Sequence, residues 1–427
     1  MTGAGMKVDL PYGRGHLTVD LPADRTDVVS APRTTALPDP AEAVRDALRR
    51  PAHGPPLREV VRPGCTVAIS MCDGTRPQPR DVVIPAILEE LAGLVRVEDV
   101  VVLVATGTHR GNTAEEVDRM LGGTPPGLTV VNHDARDRSS LTWLGTHGDG
   151  VPVWLNTLWV EADVRITTGF VEPHFFAGFS GGPKLVAPGL AGLETVLTLH
   201  DAARIGDPRA TWGVTEGNPV HDDVRAVVGA VGAVDFALDV LLDPEQRIID
   251  VHAGELFAMH ADACAACRRT AMRAVQQTYP VVVTTNAGYP LDQNLYQCVK
   301  GMSAAAEVVR PGGTIVLAAA CEDGFPDHGS FREVLSSATS PEALLDAIAG
   351  RTETVPDQWQ VQVQARLQAK ARIVVRTDGL DDDALTAAHL GATGDVAATV
   401  ADRLTEAGDG SRVCVLPDGP TTVPYLG

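Results

Sequence analysis

The chain has 427 residues, with 35 Lys and Arg against 55 Asp and Glu, and a formal net charge of −20 at pH 7. At about 100–200 residues per domain, this length predicts two or three domains. A composition of 44% apolar and 21% charged residues argues against wholesale disorder. The acidic balance argues against nucleic-acid and anionic-membrane partners, because both need clustered positive charge. A small anionic ligand remains compatible with it, held in a local basic pocket.

The apolar runs, the first residues and the number of cysteines indicate the compartment in which the protein works. The longest apolar runs, such as 100–105 and 314–320, fall well short of the roughly 20 residues that cross a membrane. The first five residues do not begin a charged region followed by an apolar stretch, so no signal peptide is predicted. The odd number of cysteines, seven, favours reduced thiols over a disulfide framework. These patterns predict a cytoplasmic protein.

Strands and helices alternate through the first part of the chain. The predicted elements are an opening hairpin over 6–22, helices over 40–50, 82–94, 113–121 and 255–278, strands over 66–71, 100–105, 128–132 and 164–169, and a hairpin over 236–251. Short apolar strands separated by helices indicate a parallel sheet covered by helices on both faces. The acidic surplus is expected on outer helices, at 115–118 and 381–383.

The alternation restarts near residue 280, which predicts a second domain. Its predicted strands are 280–285, 313–320 and 371–376, and its predicted helices are 293–306, 341–348 and 358–370. The fold class is therefore α/β, with two lobes built on Rossmann-like, mostly parallel sheets. The predicted domains are 1–275 and 276–411. Residues 412–427, with a last strand over 412–416, could belong to either.

Ligands of parallel α/β sheets gather at the carboxyl ends of strands, and the first such end is Asp73-Gly74-Thr75-Arg76-Pro77. Glycine lets a backbone approach a ligand closely. Arginine makes two-pronged contacts with carboxylates and phosphates. A surface turn capped by its Asp is the alternative interpretation.

The next strand ends in Thr106-Gly107-Thr108-His109, just before a predicted helix. Glycine and hydroxyl groups at a helix N-terminus are typical of anion sites. His109 is a candidate proton carrier in the same place, since histidine titrates near neutral pH. A histidine that only caps the loop is the alternative.

The most unusual segment in the chain is 172–189, and its first part, 172–184, carries the pattern. It holds three of the eight Phe residues and four residues, Gly178, Gly181, Gly182 and Pro183, that lead into Lys184. Such a segment is too rich in glycine for a helix and too apolar for ordinary coil. A lysine in an apolar loop can lose its proton and form a covalent link. An exposed lysine on a loop anchored by phenylalanine is the alternative.

His200 ends an apolar helix, and two interpretations stay open. A cationic histidine stabilises a helix C-terminus. Metal ligation is the other interpretation, but no second ligand follows at helical spacing. Any further ligands must then come from elsewhere, such as a cofactor.

Two patterns stand out in the second part of the chain. Tyr296, Gln297 and Lys300 fall on about one helical turn and could orient a small carboxylate, although a plain polar helix face has the same pattern. Cys264 and Cys267 form a CxxC, but they lie in a predicted helix without a second CxxC, which favours an ordinary helix over a zinc or redox site.

Together these residues resemble the nickel-dependent lactate racemase family over essentially the whole chain. The resemblance rests on four segments, 73–77, 107–109, 174–184 and 289–300. The block from His174 to Lys184 is the most specific of them, and the 73–77 turn alone would be weak.

The resemblance implies a racemase or epimerase of a 2-hydroxy acid, lactate or a relative, that works by reversible hydride transfer from the substrate α-carbon to a cofactor. That cofactor is a nickel-pincer nucleotide, pyridinium-3,5-bisthiocarboxylic acid mononucleotide with Ni(II), tethered at Lys184. His200 would be the protein ligand to nickel. His109 and His174 would be the paired proton donors and acceptors. Soft sulfur donors from the cofactor would suit nickel.

The resemblance also implies the remaining contacts. Asp73, Gly74, Thr75 and Arg76 would contact the nucleotide in the 1–275 domain, and the active site would lie in the cleft between the lobes. Substrate would be bound by Arg76, Gln297, Lys300, Tyr296 and Trp359. Phe176 and the 323–328 loop are candidates for the pocket around the substrate side chain. Enzymes that assemble the nickel nucleotide are the implied protein partners.

Two other functions compete with this one. A phosphate-handling transferase would suit the Gly/Thr loops, but the sequence has no GxxxxGK[ST] and no GxGxxG motif. A non-catalytic cofactor-binding protein would have the same pocket.

Overall fold

A computed structural model describes residues 5–32, 34–231, 234–327 and 329–427. The strands are β1 (Gly5–Tyr12), β2 (Gly15–Pro22), β3 (Thr26–Val28), β4 (Val67–Cys72), β5 (Val100–Ala105), β6 (Thr129–Asn132), β7 (Leu141–His147), β8 (Val151–Asn156), β9 (Val164–Phe170), β10 (Pro173–His174), β11 (Gly178–Phe179), β12 (Phe236–Leu242), β13 (Ile248–Gly254), β14 (Met272–Val275), β15 (Tyr279–Thr285), β16 (Val309–Ala318), β17 (Arg372–Arg376), β18 (Gly391–Ala392), β19 (Val413–Leu416) and β20 (Val423–Leu426).

The α-helices are α1 (Pro40–Arg49), α2 (Leu57–Val60), α3 (Arg80–Leu91), α4 (Ala114–Leu121), α5 (Thr157–Glu161), α6 (Leu193–Leu199), α7 (Ala202–Gly206), α8 (Pro219–Ala230), α9 (Leu256–Ala271), α10 (Leu295–Ala306), α11 (Phe331–Leu335), α12 (Pro341–Ala349), α13 (Gln358–Lys370), α14 (Asp382–Ala387) and α15 (Val396–Ala407). Among the described residues, no helix combines the length and the apolar character needed to cross a membrane.

The chain forms two compact units. The first unit contains the described parts of 33–200 and 209–268, and the second contains those of 1–32, 201–208 and 269–427. The opening hairpin thus groups with the C-terminal residues, whereas the sequence-based domains are continuous. The reason is pairing: β3 runs parallel to β19, and Val8 and Leu10 share a core with Val281. The last predicted strand, over 412–416, is β19 in the structure and lies in the second unit.

A six-stranded sheet organises the first unit. Its strand order is β13-β12-β9-β4-β5-β6, and every pair is parallel except the edge pair β12–β13. All six residues of β4 are buried, as expected for a strand with helices on both faces. The carboxyl ends of β9, β4 and β5 therefore lie side by side at one edge of this sheet.

The second unit has its own six-stranded sheet, entirely parallel, in the order β18-β17-β16-β15-β19-β3. A loop leads from β15 to α10, which begins where the Asn294 side chain accepts a hydrogen bond from the Gln297 amide. The two parallel sheets confirm the predicted α/β fold class. As predicted, Glu115, Asp118 and residues 381–383 are exposed.

The structure also differs from the sequence-based elements. The helix predicted over 255–278 ends at Ala271, because residues 272–275 form β14 and pair with β20. A distant strand partner thus overrides local helix propensity. The β7–β8 hairpin and helices α8 and α15 were not predicted. All seven cysteines are free thiols and buried.

Candidate active site

The predicted site residues of the first unit lie at one edge of its sheet. Asp73 follows β4, His109 lies four residues after β5, and the 172–184 segment follows β9. Because β4 pairs with both β5 and β9, these strand ends are neighbours. The structure therefore brings the three sequence-predicted segments together.

Asp73 and His109 form the most polar contact of this edge. His109 Nδ1 lies 2.7 Å from Asp73 Oδ2, and Thr75 donates to Asp73 Oδ1 through its amide at 3.0 Å and its hydroxyl at 2.6 Å. Burial acts to raise the pKa of Asp73, but the hydrogen bond and charge of His109, with Arg76 and Thr75, outweigh it and hold the pKa at about 2. The carboxylate is thus ionised and can only accept. His109 Nδ1 must donate to it, which leaves Nε2 as the proton-accepting atom of the neutral ring.

The turn after β4 is held by a buried glutamine that the sequence did not reveal. Gln78 Oε1 accepts from the Cys72 amide at 2.8 Å, and its Nε2 donates to Thr168 Oγ1 at 2.9 Å. A Cβ on Gly74 would lie 2.7 Å from Asn112 Nδ2, so any other residue there would displace the Asn112 amide. Gln78 thereby ties the ends of β4 and β9 together under the Asp73 turn.

His174 lies in the short β10–β11 pair and has the opposite tautomer. Its Nδ1 accepts from the Ala177 amide at 3.3 Å and the Phe176 amide at 3.5 Å, so the proton of the neutral ring is on Nε2. A Cβ on Gly178 would lie 2.2 Å from the Val214 carbonyl oxygen. Only glycine lets the chain turn back here to place the two amides at the ring.

Lys184 lies in a 3₁₀ turn over Gly182–Leu185. Its Nζ is 5.7 Å from the centre of the Phe176 ring. The Lys184 carbonyl accepts from the Gly189 amide at 3.0 Å, and the Gly189 carbonyl accepts from the Gly107 amide at 2.9 Å. The lysine loop is therefore bonded directly to the loop that carries His109.

His200 caps the C-terminus of α6 and is buried. Its Nδ1 lies 2.8 Å from the Val196 carbonyl oxygen, which can only accept, so Nδ1 donates and Nε2 presents a lone pair. Burial, with the nearby Lys184 charge, lowers the pKa of His200 to about 4. The ring is therefore neutral at pH 7, which contradicts the cationic helix-capping interpretation.

The Phe176 ring is the common neighbour of this cluster. Its centre lies 4.4 Å from that of His174 and 5.3 Å from that of His200, edge-on in both cases, and Lys184 Nζ faces it as well. The phenylalanine-rich segment thus serves as the packing platform for the three polar side chains.

These residues fit a metal held largely by donors from a cofactor. A neutral, buried imidazole with its lone pair fixed on Nε2 is a good metal ligand. Among the described residues, no three His, Cys, Asp or Glu side chains are grouped to hold a metal ion. A metal at His200 would therefore take most of its ligands from a bound organic group, for which the Lys184 amine offers an attachment point.

The remaining predicted residues belong to the second unit. Tyr296, Gln297 and Lys300 lie on the first turns of α10, as predicted. The Tyr296 carbonyl accepts from Gln360 Nε2 at 2.6 Å, which places α13 and its buried Trp359 against this end of α10. Within this unit the structure brings these residues together, and their roles toward a substrate stay predictions. His328, in the loop suggested for the substrate side chain, lies outside the described residues.

Cys264 and Cys267 lie in α9 and are buried. Burial raises the pKa of both thiols, so they are protonated at neutral pH. The structure agrees with an ordinary helix at this CxxC.

Asp239 is a second residue that the sequence analysis missed. It is fully buried in β12 and accepts a hydrogen bond from the Gly182 amide. A signal was present, since it is the one charged residue in the apolar strand Phe-Ala-Leu-Asp-Val-Leu-Leu. A charge in a buried strand needs a compensating partner.

Comparison with known proteins identifies the family. The lactate racemase N-terminal domain matches residues 12–213, and the lactate racemase C-terminal domain matches residues 275–423. A lactate racemase from Thermoanaerobacterium thermosaccharolyticum is 32% identical over 422 residues, which is 97% of this chain and 98% of that protein. One from Lactiplantibacillus plantarum is 32% identical over 424 residues, 96% of this chain and 98% of that protein.

Solved structures agree. The lactate racemase apoprotein from Thermoanaerobacterium thermosaccharolyticum superposes with a TM-score of 0.90 at 32% identity, covering 98% of this chain and 100% of that one. A protein from Thermotoga maritima shares the fold, with a TM-score of 0.70 at 18% identity. The superposition covers 93% of this chain and 100% of the Thermotoga maritima chain. The chain belongs to the lactate racemase family, a nickel-dependent family of isomerases.

Proposed function

We propose that this protein interconverts the stereoisomers of a 2-hydroxy acid, lactate or a close relative, with a nickel-pincer nucleotide tethered to Lys184. The observation that carries the proposal is the His109–Asp73 pair. It holds an imidazole with a proton-accepting Nε2 on the loop that is hydrogen-bonded to the segment following Lys184. The side chains of Lys184, His174 and His200 in turn surround the Phe176 ring. Lactate itself comes from the names of the relatives.

Proton transfer at the substrate hydroxyl is the task of the two histidines. One takes the hydroxyl proton of one stereoisomer, and the other returns a proton to the product of opposite hand, so one ring is neutral while the other is cationic. The Asp73 carboxylate stabilises the imidazolium that forms at His109. The backbone contacts of His174 Nδ1, at 3.3 and 3.5 Å, are long, so protonation of this ring displaces only weak hydrogen bonds.

Lys184 and His200 would hold the cofactor, and residues 73–76 would contact its nucleotide part. When bound, the cofactor supplies the acceptor for the α-hydrogen, which leaves with its electron pair. The protein holds the reacting groups in place and keeps the His200 imidazole neutral. The Phe176 ring gives the Lys184 amine an apolar neighbour on one side.

Substrate binding is proposed for Arg76 of the first unit and for four residues of the second unit, Tyr296, Gln297, Lys300 and Trp359. Arg76 is partly buried next to Asp73 and Thr75, where a guanidinium can receive a carboxylate. The chain has only four lysines, Lys7, Lys184, Lys300 and Lys370, and two of them have a role in this proposal. In a chain of net charge −20, such local cations must supply the attraction for anionic ligands.

The test is an assay that separates the stereoisomers of the product. It uses protein produced in the cytoplasm together with the enzymes that assemble the nickel nucleotide. Peptide mass analysis should find an adduct on Lys184, and metal analysis should find nickel. At least one acid from a panel of 2-hydroxy acids that includes lactate should then be racemised or epimerised. Protein without adduct and nickel would contradict the cofactor assignment. Loaded protein that turns over no acid would favour the cofactor-binding alternative.

A further inference from the structure

Asp239 lies at the centre of β12, next to the edge strand β13 of the first-unit sheet. In register it pairs with Gly169 of β9 on one side and with His252 of β13 on the other. Its side chain has no measurable exposure. One carboxyl oxygen, Oδ2, accepts from the Gly182 amide at 2.7 Å, and the other, Oδ1, has no hydrogen-bond partner within the described residues.

The turn before Lys184 closes directly onto this carboxyl group. A Cβ on Gly181 would lie 2.8 Å from Asp239 Oδ2, and a Cβ on Gly169 would lie 2.8 Å from Oδ1. Gly181 and Gly182 also have φ values of +78° and +50°, which disfavour other residues. Gly181, one of the glycines that mark this segment in the sequence, and Gly169 of β9 therefore make room for Asp239.

The other side of the turn is held by α9. His260 Nε2 lies 2.8 Å from the Ser180 carbonyl oxygen, and a Cβ on Gly182 would lie 2.5 Å from its ring. Residues 180–182 are thus fixed by one side chain from β12 and one from α9. Lys184 follows two residues later.

An apolar residue at 239 would fill the same space at lower cost. Burial raises the pKa of Asp239 to about 7, against the lowering effect of the Gly182 hydrogen bond. A buried carboxyl oxygen without a partner costs free energy in either protonation state. Sites that break a packing rule in this way are often functional.

We propose that Asp239 is a positioning residue that holds the Gly181–Gly182 turn through the Gly182 amide and thereby sets the orientation of the Lys184 amine. The consequence of this role for cofactor attachment rests on the proposed function. The effect of Asp239 on the Lys184 amine does not, because that effect is a property of the protein without cofactor.

The test compares Asp239→Leu, which has no acceptor for Gly182, with Asp239→Asn, which keeps one. Val240→Ala is the matched control, because Val240 is equally buried on the same strand but its side chain points to the opposite face of the sheet. Cofactor-free protein is treated with a limiting amount of an N-hydroxysuccinimide acetyl ester. Peptide mass analysis then gives the ratio of acetylation at Lys184 to that at the exposed Lys7.

Asp239→Leu should raise this ratio at least fivefold, because the partly buried lysine is released with its turn. Asp239→Asn and Val240→Ala should stay within twofold of the wild type. An unchanged or lower ratio in Asp239→Leu, or an equal rise in Val240→Ala, would overturn the proposal. If Asp239→Leu does not fold, Asp239→Ala takes its place.

Amide hydrogen exchange at Gly182 in Asp239→Asn gives a second measurement. Retained protection is expected, and its loss would also overturn the proposal. Both measurements use protein without nickel and without substrate. Their outcome is therefore independent of whether the loaded protein racemises a hydroxy acid.

Discussion

His109 donates its Nδ1 proton to Asp73 across 2.7 Å. The His109 side chain is 43% exposed to solvent, whereas that of Asp73 is 4% exposed. The carboxylate is thus almost fully shielded from solvent, while the imidazole remains partly accessible to solvent. This geometry sets the direction of the ring, and the ionised Asp73 sets its tautomer. The first prediction follows from this pair.

Asp73→Asn should lower the racemisation rate by about 100-fold to 1,000-fold, since an amide in this position can turn the imidazole to the wrong tautomer and cannot stabilise its cation. The rate is measured by chiral chromatography on loaded protein. The Lys184 adduct should be retained. Asp81→Asn, at an exposed position on α3, is the matched control and should be fully active. Full activity in Asp73→Asn would contradict the role given to the pair.

Replacing either His109 or His174 by Gln should abolish racemisation and leave the adduct at Lys184 in place. Each substitution removes one of the two proposed proton carriers, and the amide of a Gln side chain cannot act as a general acid or base near neutral pH. Loss should exceed about 100-fold in each case. Activity in the double variant would refute the proton relay through these two rings.

His200→Ala should lose nickel while the protein stays folded. Removing the buried imidazole loses its hydrogen bond to the Val196 carbonyl and leaves a small cavity, which together should cost about 2–4 kcal/mol of unfolding free energy. Nickel is measured by elemental analysis and folding by circular dichroism. His16→Ala, at an exposed position of β2, should keep nickel. Metal at wild-type occupancy in His200→Ala would show that the ligand assignment is wrong.

Lys300→Ala should raise KM for the hydroxy acid about tenfold or more and change kcat less, because a lost carboxylate contact weakens binding of substrate and transition state together. Initial rates over a substrate series give the two constants separately. Lys7→Ala, at an exposed position of β1, is the control. An unchanged KM in Lys300→Ala would remove this residue from the binding site.

His260 should make the protein less stable in mild acid. Burial lowers the pKa of His260 to about 4, from an ordinary value near 6.5. Between these two pH values the unfolded chain binds a proton at this histidine that the folded chain excludes. The contribution of His260 to the free energy of unfolding is therefore fully present above pH 6.5 and is lost as the pH falls toward 4. From pH 7.5 to 5 the loss is about 2 kcal/mol for this group.

His260→Gln keeps a donor for the Ser180 carbonyl but does not titrate. Urea unfolding at the two pH values should therefore show a smaller acid loss in the variant than in the wild type. His200, whose pKa burial also lowers to about 4, titrates in both proteins and cancels in the difference. The His221 ring lies 6.0 Å from that of His260, and its charge contributes to the low pKa of His260, so the difference includes this interaction. Equal losses in the two proteins would contradict a buried, neutral His260.

Much of the fold was predictable because the strands at the sheet centre are short apolar runs between clear turn signals. β5 and α13 match their predicted bounds, and the Thr113 and Glu116 side chains form a capping box at the start of α4. The opening hairpin was predicted as an element, but its unit was not, because pairing of β3 with β19 joins residues almost 400 positions apart. β14 was missed for the same reason, since its partner lies at the C-terminus.

The grouping of candidate residues at one sheet edge was predictable where residue type and strand end coincide, as at Asp73, His109 and Lys184. Tautomers were not predictable, because they depend on which backbone group each ring meets: a carbonyl for His200 and amides for His174. Asp239 and Gln78 were missed because their partners are brought near only by the folded sheet. Their one signal was a polar residue in or beside a buried strand.

The hydrogen bond from the Gly107 amide to the Gly189 carbonyl has a mechanical consequence. Through it the loop that carries His109 is joined to the segment that follows Lys184, so moving one of them away from the other requires that this bond break. Under the proposed function, the spacing between the base and the point of cofactor attachment is thus restrained when the chain folds, before a substrate arrives.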